Sequence, residues 1–316
     1  MTGLERLHDA DADQAAAFFA DADPEALVAA VRSTSDHDLL ALIGRDQVRT
    51  AAIEGILARL HEYAVAERLG LLHGTVRIDL ERRGRLLERH GLRFTGGDIE
   101  LLEEVPADEP VDVVLRTSLL RFVRLVSGEV NAGLEYLSGK LDIEGDADLA
   151  LGIGGIFRVP GSDAVAVDPT ALDPVDVATA LQHASRHHLE KVMTSGFRPV
   201  VLGEIFRRLP DFVDPERARG VELAIGFRLL GNPSGDVDRY LVRVSGGVAT
   251  VSVGDEAGEG DEERDATVTC QAHDYLRLAT GHLNPLAGVL KGQLKVKGDR
   301  AKALQLSSVI DIPQPR

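Results

Sequence analysis

The stretch GQLKVKGDRAKALQLSSVI, residues 292–310, has a counterpart earlier in the chain, GKLDIEGDADLALGIGGIF, residues 139–157. Each copy begins with a glycine, continues as a short run of alternating apolar and charged residues, and turns at a Gly-Asp pair. This alternation is typical of a strand with one buried face. Asp146 and Asp299 then stand where the N-cap of a helix belongs, after a glycine that turns the chain without a steric penalty. The two copies therefore predict the same strand, turn and helix.

The repetition extends over most of the chain. At an offset of 153 positions, residues 112–156 and 265–309 share twelve identities without a gap. Further upstream, the segments IEGILARLHEYAVAERL and LGEIFRRLPDFVDPERA align at an offset of 149, with the length difference absorbed in loops, where insertions are tolerated. The repeated unit thus covers residues 23–158 and 173–311.

Length and composition favour two globular domains. The 316 residues suit two domains of about 150 residues, and 44% are hydrophobic. We expect an acidic N-terminal tail at 1–22, a first domain at 23–160, a linker at 161–172 and a second domain at 173–316. A net charge of −16 argues against nucleic acid as a partner, since phosphate contacts require clustered Lys and Arg.

Three further observations concern location. No apolar run is long enough for a transmembrane segment, and the acidic start of the chain does not resemble a secretory signal. The single cysteine, Cys270, fits a reducing compartment and a buried small side chain. We expect a cytoplasmic protein, with a homo-oligomer as an open possibility.

Within each repeat the pattern predicts helices, three strands, a strand feeding two short helices, and finally a strand and a helix. In the second repeat the helix boundaries are marked by Asn284 and Pro285 at a start and by Gly281 and Gly292 at ends. Runs of strands with segregated helices favour an α+β class, in which helices cover one face of a sheet.

The segment TVTCQAHDYLRLATGHLNPLAGVLKGQLKVKGDRAKALQLSSVI resembles the C-terminal half of the sterol carrier protein type 2 family, and FRRLPDFVDPERARGVELAIGFRL resembles its opening helix and first strand. The resemblance implies two tandem domains, each a five-stranded, mostly antiparallel sheet covered by helices with an apolar tunnel. It implies a non-enzymatic lipid carrier for fatty acid, acyl-CoA or sterol, with no cofactor.

The predicted ligand-binding residues are inward positions of the helix pair and the closing helix in each repeat. They are Tyr275, Leu278, Leu286, Val289, Leu306 and Val309 in the second repeat, Gln305 as a polar contact to a head group, and Phe122, Leu125, Leu137, Ile153 and Ile156 in the first. Apolar stripes at helical spacing equally fit an ordinary closed core. Gln305 equally fits a solvent-facing position.

The first repeat departs from the pattern at two places. Ala132 stands where the second repeat has a proline, and Gly152, Gly154 and Gly155 lie in its last helix. Three helical glycines cost about 1 kcal/mol each relative to alanine, which predicts a short or labile helix. We therefore expect the second repeat to be the stronger candidate for ligand binding.

No sequence motif for nucleotide binding, hydrolysis or metal binding is present. His183 and His187 lie four residues apart on one predicted helix, but a solvated face is the favoured interpretation. The basic run at 82–93 fits the outer face of a strand pair or a docking patch. Two alternatives to a carrier stay open: an interaction or oligomerisation platform with collapsed tunnels, and a cofactor-free enzyme.

Overall fold

A computed structural model of the chain describes residues 3–102, 105–158, 161, 165–254 and 264–316. The chain divides into two compact units, Met1–Asp168 (unit 1) and Pro169–Arg316 (unit 2). Most of the acidic loop that follows the third strand of the second repeat, and part of the predicted linker, lie outside the described residues.

Unit 1 begins with helices and continues with a sheet interrupted by a helix pair. Its elements in chain order are α1 Ala12–Asp21, α2 Pro24–Ser33, α3 Asp36–Ile43, α4 Asp46–Ala58, α5 Ala66–Leu69, β1 His73–Arg82, β2 Arg85–Thr95, β3 Ile99–Leu102, β4 Val113–Ser118, α6 Leu119–Val126, α7 Ala132–Leu137, β5 Leu141–Gly145 and α8 Ala147–Ile156.

Unit 2 follows the same order from α2 onward, apart from the short helix α5, where its residues 215–220 form turns. Its elements are α9 Pro174–Gln182, α10 Arg186–Thr194, α11 Arg198–Arg208, β6 Leu223–Leu230, β7 Asp238–Ser245, β8 Val248–Val253, β9 Ala266–Gln271, α12 Ala272–Ala279, α13 Pro285–Leu290, β10 Leu294–Gly298 and α14 Arg300–Val309.

The two sheets have the same topology. The strand orders are β3-β2-β1-β4-β5 and β10-β9-β6-β7-β8, which are equivalent under the repeat. In each sheet one pair is parallel, β1 with β4 and β6 with β9, and the other pairs are antiparallel. The predicted α+β class with two five-stranded, mostly antiparallel sheets is therefore confirmed.

The N-terminal segment is folded, which corrects the prediction of a tail at 1–22. A short 3-10 helix, Gly3–His8, and α1 bury Leu4, Leu7 and Phe19. The Asp11 side chain accepts a hydrogen bond from the Gln14 backbone N–H at 2.9 Å, and Gln14 returns one to Asp11. This capping box begins a helix in spite of the acidic composition, because the apolar side chains that follow it pack onto α4.

An aspartate joins the parallel strand pair in both units. The Asp112 N–H donates to the Thr75 carbonyl, the Asp112 carbonyl accepts from the Asp146 N–H, and the Asp112 side chain accepts from the Thr75 N–H at 2.6 Å. Asp265 makes the equivalent bonds in unit 2, where its carboxylate accepts from the Ala224 N–H at 2.7 Å. The neighbouring Gly145 has φ +101°, and a Cβ there would lie 2.0 Å from the Asp112 carbonyl oxygen. The duplicated Asp and Gly are thus backbone requirements.

A buried arginine fastens one helix to the sheet in each unit. Arg49 on α4 bonds to Glu88 on β2, and Arg198 on α11 bonds to Asp238 on β7 at 2.6 Å. Arg198 also donates to the Met193 carbonyl at 2.8 Å. Burying an arginine destabilises the folded state unless each of its N–H donors has a partner. In each unit the ion pair between arginine and carboxylate therefore holds the helix at one position over the strands.

Two local predictions are corrected and one is confirmed. His183 and His187 do not share a helix, because His183 ends α9 and Ser185 caps α10 between them. Helix α8 is ten residues long, as is α14, so its glycines do not shorten it. Cys270 is buried, as expected, and burial raises the pKa of its thiol to about 12.

Candidate functional site

A large cavity lies inside unit 1, between the inner face of the sheet and the helices. Its volume is about 770 Å³, and it lies where the core of the sheet layer meets the core of the N-terminal helices. The walls are mostly apolar and include Leu27, Val31, Ile78, Phe122 and Leu125. We call this the unit 1 cavity.

Helix α2 forms one wall of this cavity. Leu27, Val28 and Val31 lie on it and line the cavity, yet none of its residues is buried. Apolar side chains that are only half-buried while facing the interior are the mark of a core that is not filled. The ten residues of α2 span about 15 Å, which sets the length of the wall that they provide.

Polar groups line the cavity near the two ends of α2. Near its C-terminal end, Arg32 Nε donates to the Ser127 carbonyl at 2.8 Å. Near its N-terminal end, Arg59 donates to the Ala22 carbonyl at 2.8 Å, and burial raises the pKa of Tyr63. Arg158 lines the cavity here and is exposed. The cavity therefore has an apolar middle and polar ends.

Arg124 holds the α2–α3 segment against α6. Its guanidinium is buried and donates to the Val31 carbonyl at 3.0 Å, the Thr34 carbonyl at 2.8 Å and Asp36 Oδ1 at 2.7 Å. It also pairs with Glu129. One side chain thus holds the turn that follows α2, so that α2 keeps its position although the core beneath it is not filled.

In unit 2 aromatic rings occupy the space between sheet and helices. Phe206 on α11 stacks on Tyr240, with ring centroids 3.6 Å apart, and on Tyr275 at 4.9 Å. Phe227 packs edge-on against Phe206 at 5.8 Å and against Tyr275 at 5.3 Å. All four residues are buried, so this part of unit 2 is a packed core.

The repeat shows which side chains make the difference. Phe206, Phe227, Tyr240 and Tyr275 correspond to Leu57, Ile78, His90 and Phe122 in unit 1. The strand registers agree, since Ile78 is paired with His90 and Phe227 with Tyr240. Unit 2 therefore has four aromatic rings of phenylalanine or tyrosine where unit 1 has one. Of the four unit 1 residues, Ile78 and Phe122 line the unit 1 cavity.

A second cavity, of about 750 Å³, lies in unit 2 at a different place. It is bounded by α11 and by β7 and β8, and its lining includes Arg198, Asn232 and Val253 together with one side of the stacked Phe206 and Tyr240. None of the predicted ligand-binding residues lines it.

The predicted residues of unit 1 fall into two groups. Phe122 and Leu125 line the unit 1 cavity. Leu137, Ile153 and Ile156 are buried and are not among its lining residues, so the structure does not bring these three to the cavity.

The predicted residues of unit 2 do not form a common lining. Tyr275, Leu306 and Val309 are buried core residues, and Leu278 and Val289 are half-buried. The inward placement of Leu286 is wrong: it is 56% exposed, because Gly288 takes the inward position on the short helix α13. Gln305 is exposed, which agrees with its solvent-facing alternative.

Residues of the N-terminal helices also line the cavity and were not predicted. Leu4, Leu7 and Phe19 belong to the segment expected to be a tail, and Val28 and Val31 to α2. The signal that could have found Phe19 is the Asp11 and Gln14 spacing ahead of the run AAAFFA, whereas Leu4 and Leu7 precede that capping box.

Two observations bear on cofactors and membranes. Among the described residues, no group of three or more His, Cys, Asp or Glu side chains could hold a metal ion. Within the same residues, no helix has both the length and the apolar character needed to cross a bilayer.

Comparison with known proteins agrees with the duplicated fold. The model of the SCP-2 sterol transfer family matches twice, at residues 53–158 and 202–311, which together are more than half of the chain. Human "Sterol carrier protein 2" is 27% identical over 128 residues, 39% of this chain and 22% of that protein. "Hydroxysteroid dehydrogenase-like protein 2" of Xenopus tropicalis is 28% identical over 109 residues, 34% of this chain and 24% of that protein.

The chain thus spans about a quarter of the length of these relatives. Among solved structures, the apo form of Sterol Carrier Protein 2 from Yarrowia lipolytica is 24% identical, with a TM-score of 0.26, and covers 32% of this chain and 90% of that one. With both repeats matched by the family model, the chain belongs to the SCP-2 sterol transfer family.

Proposed function

We propose that this protein binds and transfers lipids, and that the apolar body of the ligand occupies the unit 1 cavity. The observation that carries the proposal is the apolar space of about 770 Å³ between sheet and helices. Sites for small molecules commonly measure about 300–1,000 Å³. Burial of each methylene in such a space contributes about 0.8 kcal/mol, so a long acyl chain or a sterol needs few polar contacts to bind.

The proposed ligand is an amphiphile with one polar head, namely a fatty acid, an acyl-CoA or a sterol. The polar groups near the ends of α2 support this choice, because an apolar body can lie between them. Arg158 is the best placed cation for an anionic head, since it is exposed and lines the cavity. Arg32 and Arg59 already donate to backbone carbonyls.

We propose further that the protein carries its ligand without chemical change. Polar side chains at the cavity are engaged in structural bonds, which supports this view. Thr117 donates to the Lys140 carbonyl at 3.1 Å, and Glu135 pairs with Arg121. A cytoplasmic location stays a prediction.

Unit 2 fits a different role. Its stacked Phe206, Tyr240 and Tyr275 fill the space between helix α11, the sheet and helix α12, and its cavity of about 750 Å³ has Arg198, Asn232 and Asp238 in its lining, which favours a structural or docking function for this unit over carriage. This is the interaction-platform alternative, now confined to half of the chain.

The proposal is tested by filling the cavity at one position. Leu125 lines the unit 1 cavity and is half-buried, and its counterpart in unit 2 is Leu278. Leu125→Phe should weaken binding of a fluorescent fatty acid at least about tenfold, because the larger ring takes the place of ligand atoms. Leu278→Phe is the matched control and should leave the affinity unchanged.

Purified protein should also release a lipid into an organic extract, and native mass spectrometry should show the same mass bound to the folded chain. Equal binding by the Leu125→Phe and Leu278→Phe variants would contradict the proposed site. Failure of the wild-type chain to bind fatty acids, acyl-CoA and sterols would contradict the function itself.

A further inference from the structure

Three glycines in α8, the last helix of unit 1, differ in what lies beside each of them. A Cβ at Gly152 would lie 2.6 Å from Leu72 Cδ2, and a Cβ at Gly154 would lie 2.5 Å from Val167 Cγ2. At Gly155 the listed neighbour of an added Cβ is Arg68 Nη1, at an ordinary distance of 3.8 Å. Packing therefore requires glycine at 152 and 154 and tolerates alanine at 155, although each glycine costs about 1 kcal/mol of helix propensity.

Val167 belongs to the chain that follows α8. Its backbone N–H donates to the Gly154 carbonyl at 2.9 Å, and the Ala166 N–H donates to the Phe157 carbonyl at 2.9 Å. Arg158 and Val165 form an antiparallel bridge. Residues 165–167 thus run back along the end of α8 and lie against it. We call these three residues the return segment.

The return segment forms part of the wall of the unit 1 cavity. Val165 and Ala166 line the cavity, as do Phe157 and Arg158, with which they pair. Arg158 is exposed while it lines the cavity, so the cavity meets solvent at this end. The return segment is therefore part of the rim at which the cavity opens.

Unit 2 has a different arrangement at the equivalent place. Ser307 stands at the position of Gly154, and its hydroxyl donates to the Leu304 carbonyl at 2.7 Å. After α14 the chain runs toward α9, where the Arg316 N–H donates to the Thr179 hydroxyl oxygen at 3.1 Å. The contact between a helical glycine and a return segment is thus a feature of unit 1, the unit with the large apolar cavity.

We propose that Gly154 is a positioning residue for the ligand: it seats the return segment on α8, and the seated return segment slows the release of lipid from the unit 1 cavity. The inference rests on the proposed function and adds which residues control how long the ligand stays bound. A side chain at 154 would displace Val167 by about 1 Å before an ordinary contact is regained. Val165 and Ala166 would move with it, and their contacts with the ligand would be lost.

Two alanine substitutions one residue apart test the proposal on the full chain. Gly154→Ala should raise the dissociation rate of a fluorescent fatty acid at least about threefold, with a smaller change in its association rate. Gly155→Ala is the matched control, because it adds the same methyl group to the same helix where space is available. It should leave both rates unchanged. Equal dissociation rates in the two variants would overturn the inference.

A compensating change shows whether the effect passes through the contact with Val167. Val167→Gly removes the three side-chain atoms nearest to the position of the new methyl group. In that background Gly154→Ala should have no further effect, so the double variant should release fatty acid at the rate of Val167→Gly alone. A double variant whose rate is the product of the two separate effects would contradict the proposed contact.

A measurement without ligand separates this inference from the proposed function. Hydrogen exchange of the Ala166 and Val167 amides should be faster in ligand-free Gly154→Ala than in ligand-free Gly155→Ala. Unchanged exchange would overturn the role of Gly154 even in a protein that binds lipids. Faster exchange in a protein that binds no fatty acid, acyl-CoA or sterol would contradict the proposed function, and with it the role of the return segment in release.

Discussion

The two units share a fold but differ in their interiors. Both have the same strand order, the same aspartate between the parallel strands and the same arginine between helix and sheet. Unit 1 has a mostly apolar cavity of about 770 Å³ between sheet and helices, whereas unit 2 has Phe206 stacked between Tyr240 and Tyr275 in its core and a cavity of about 750 Å³ at a different place. The two units thus share a fold and differ in where that fold leaves space.

The comparison separates residues that set the backbone from residues that set the volume. Identities between the repeats concentrate at turns and caps, such as Gly145/Gly298 and Asp146/Asp299. These positions specify how the chain turns, and they are equally present in a hollow unit and in a filled one. Similarity at such positions therefore indicates a shared fold and gives no information on whether a unit can hold a ligand.

The largest expected effect comes from emptying the filled core. Phe206→Ala should lower the free energy of unfolding of unit 2 by about 3–5 kcal/mol, the usual cost of removing a buried aromatic ring. Hydrogen exchange of the β6 and β7 amides measures it. Val253→Ala, at a 53% exposed position of the same unit, should cost less than about 0.5 kcal/mol. Equal exchange in both variants would show that the aromatic stack does not stabilise the sheet.

The next effect concerns the arginine that supports the α2 wall. Arg124→Gln should cost about 2–3 kcal/mol, because it leaves the Val31 and Thr34 carbonyls without their buried donor. Arg277, the counterpart in unit 2, is more exposed and lies 3.7 Å from Asp274, which also accepts a hydrogen bond from Gln293, so Arg277→Gln should cost less than about 1 kcal/mol. Chemical denaturation of the two variants checks the ranking, and the reverse order would contradict the role given to Arg124.

A smaller difference should separate a cavity wall from a packed wall. Val31 on α2 faces the unit 1 cavity, and its counterpart Leu181 on α9 is buried. Leu181→Ala should cost about 3 kcal/mol and Val31→Ala less than about 1 kcal/mol, because a residue beside empty space loses few contacts. Thermal unfolding of ligand-free protein measures both. Similar losses would mean that α2 is packed as tightly as α9.

The smallest effect is a pH dependence of unit 1. Burial acts to raise the pKa of Glu88, but hydrogen bonds from His90 and Arg49 outweigh it and hold the pKa below its usual value. A lowered folded-state pKa stabilises the protein above the ordinary glutamate pKa of about 4.3, and this contribution is lost as pH falls through the folded value. Glu88→Gln should therefore flatten the acid side of the stability profile. An unchanged profile would show that Glu88 does not contribute.

The sequence predicted the parts of the fold that depend on local rules. Asn284 and Asp299 cap their helices as expected, each accepting a backbone N–H within its own first turn. The internal repeat then predicted the same strands and the same helix pair in both halves of the chain. Helix α13 was harder, because nearly all of its side chains are apolar, so its pattern did not show that Gly288 faces inward and Leu286 outward.

The cavity could not be predicted in this way because its volume depends on side chains that lie far apart in the sequence. Ile78, Phe122 and Val31 line it from a strand and two different helices, and no local pattern relates these positions to one another. The sequence favoured ligand binding in the second repeat on the strength of its motifs. The structure instead places the large apolar cavity in unit 1.

The most direct test of the claim that the ligand lies in unit 1 is to locate the bound ligand. A fatty acid with a photoreactive group near the end of its chain would be bound to the full-length protein, irradiated, and mapped by peptide mass spectrometry. We predict crosslinks to α2, α4 and α6 of unit 1, lost in the Leu125→Phe variant. Crosslinks to α11 and α12 of unit 2, with unit 1 unlabelled, would contradict the account.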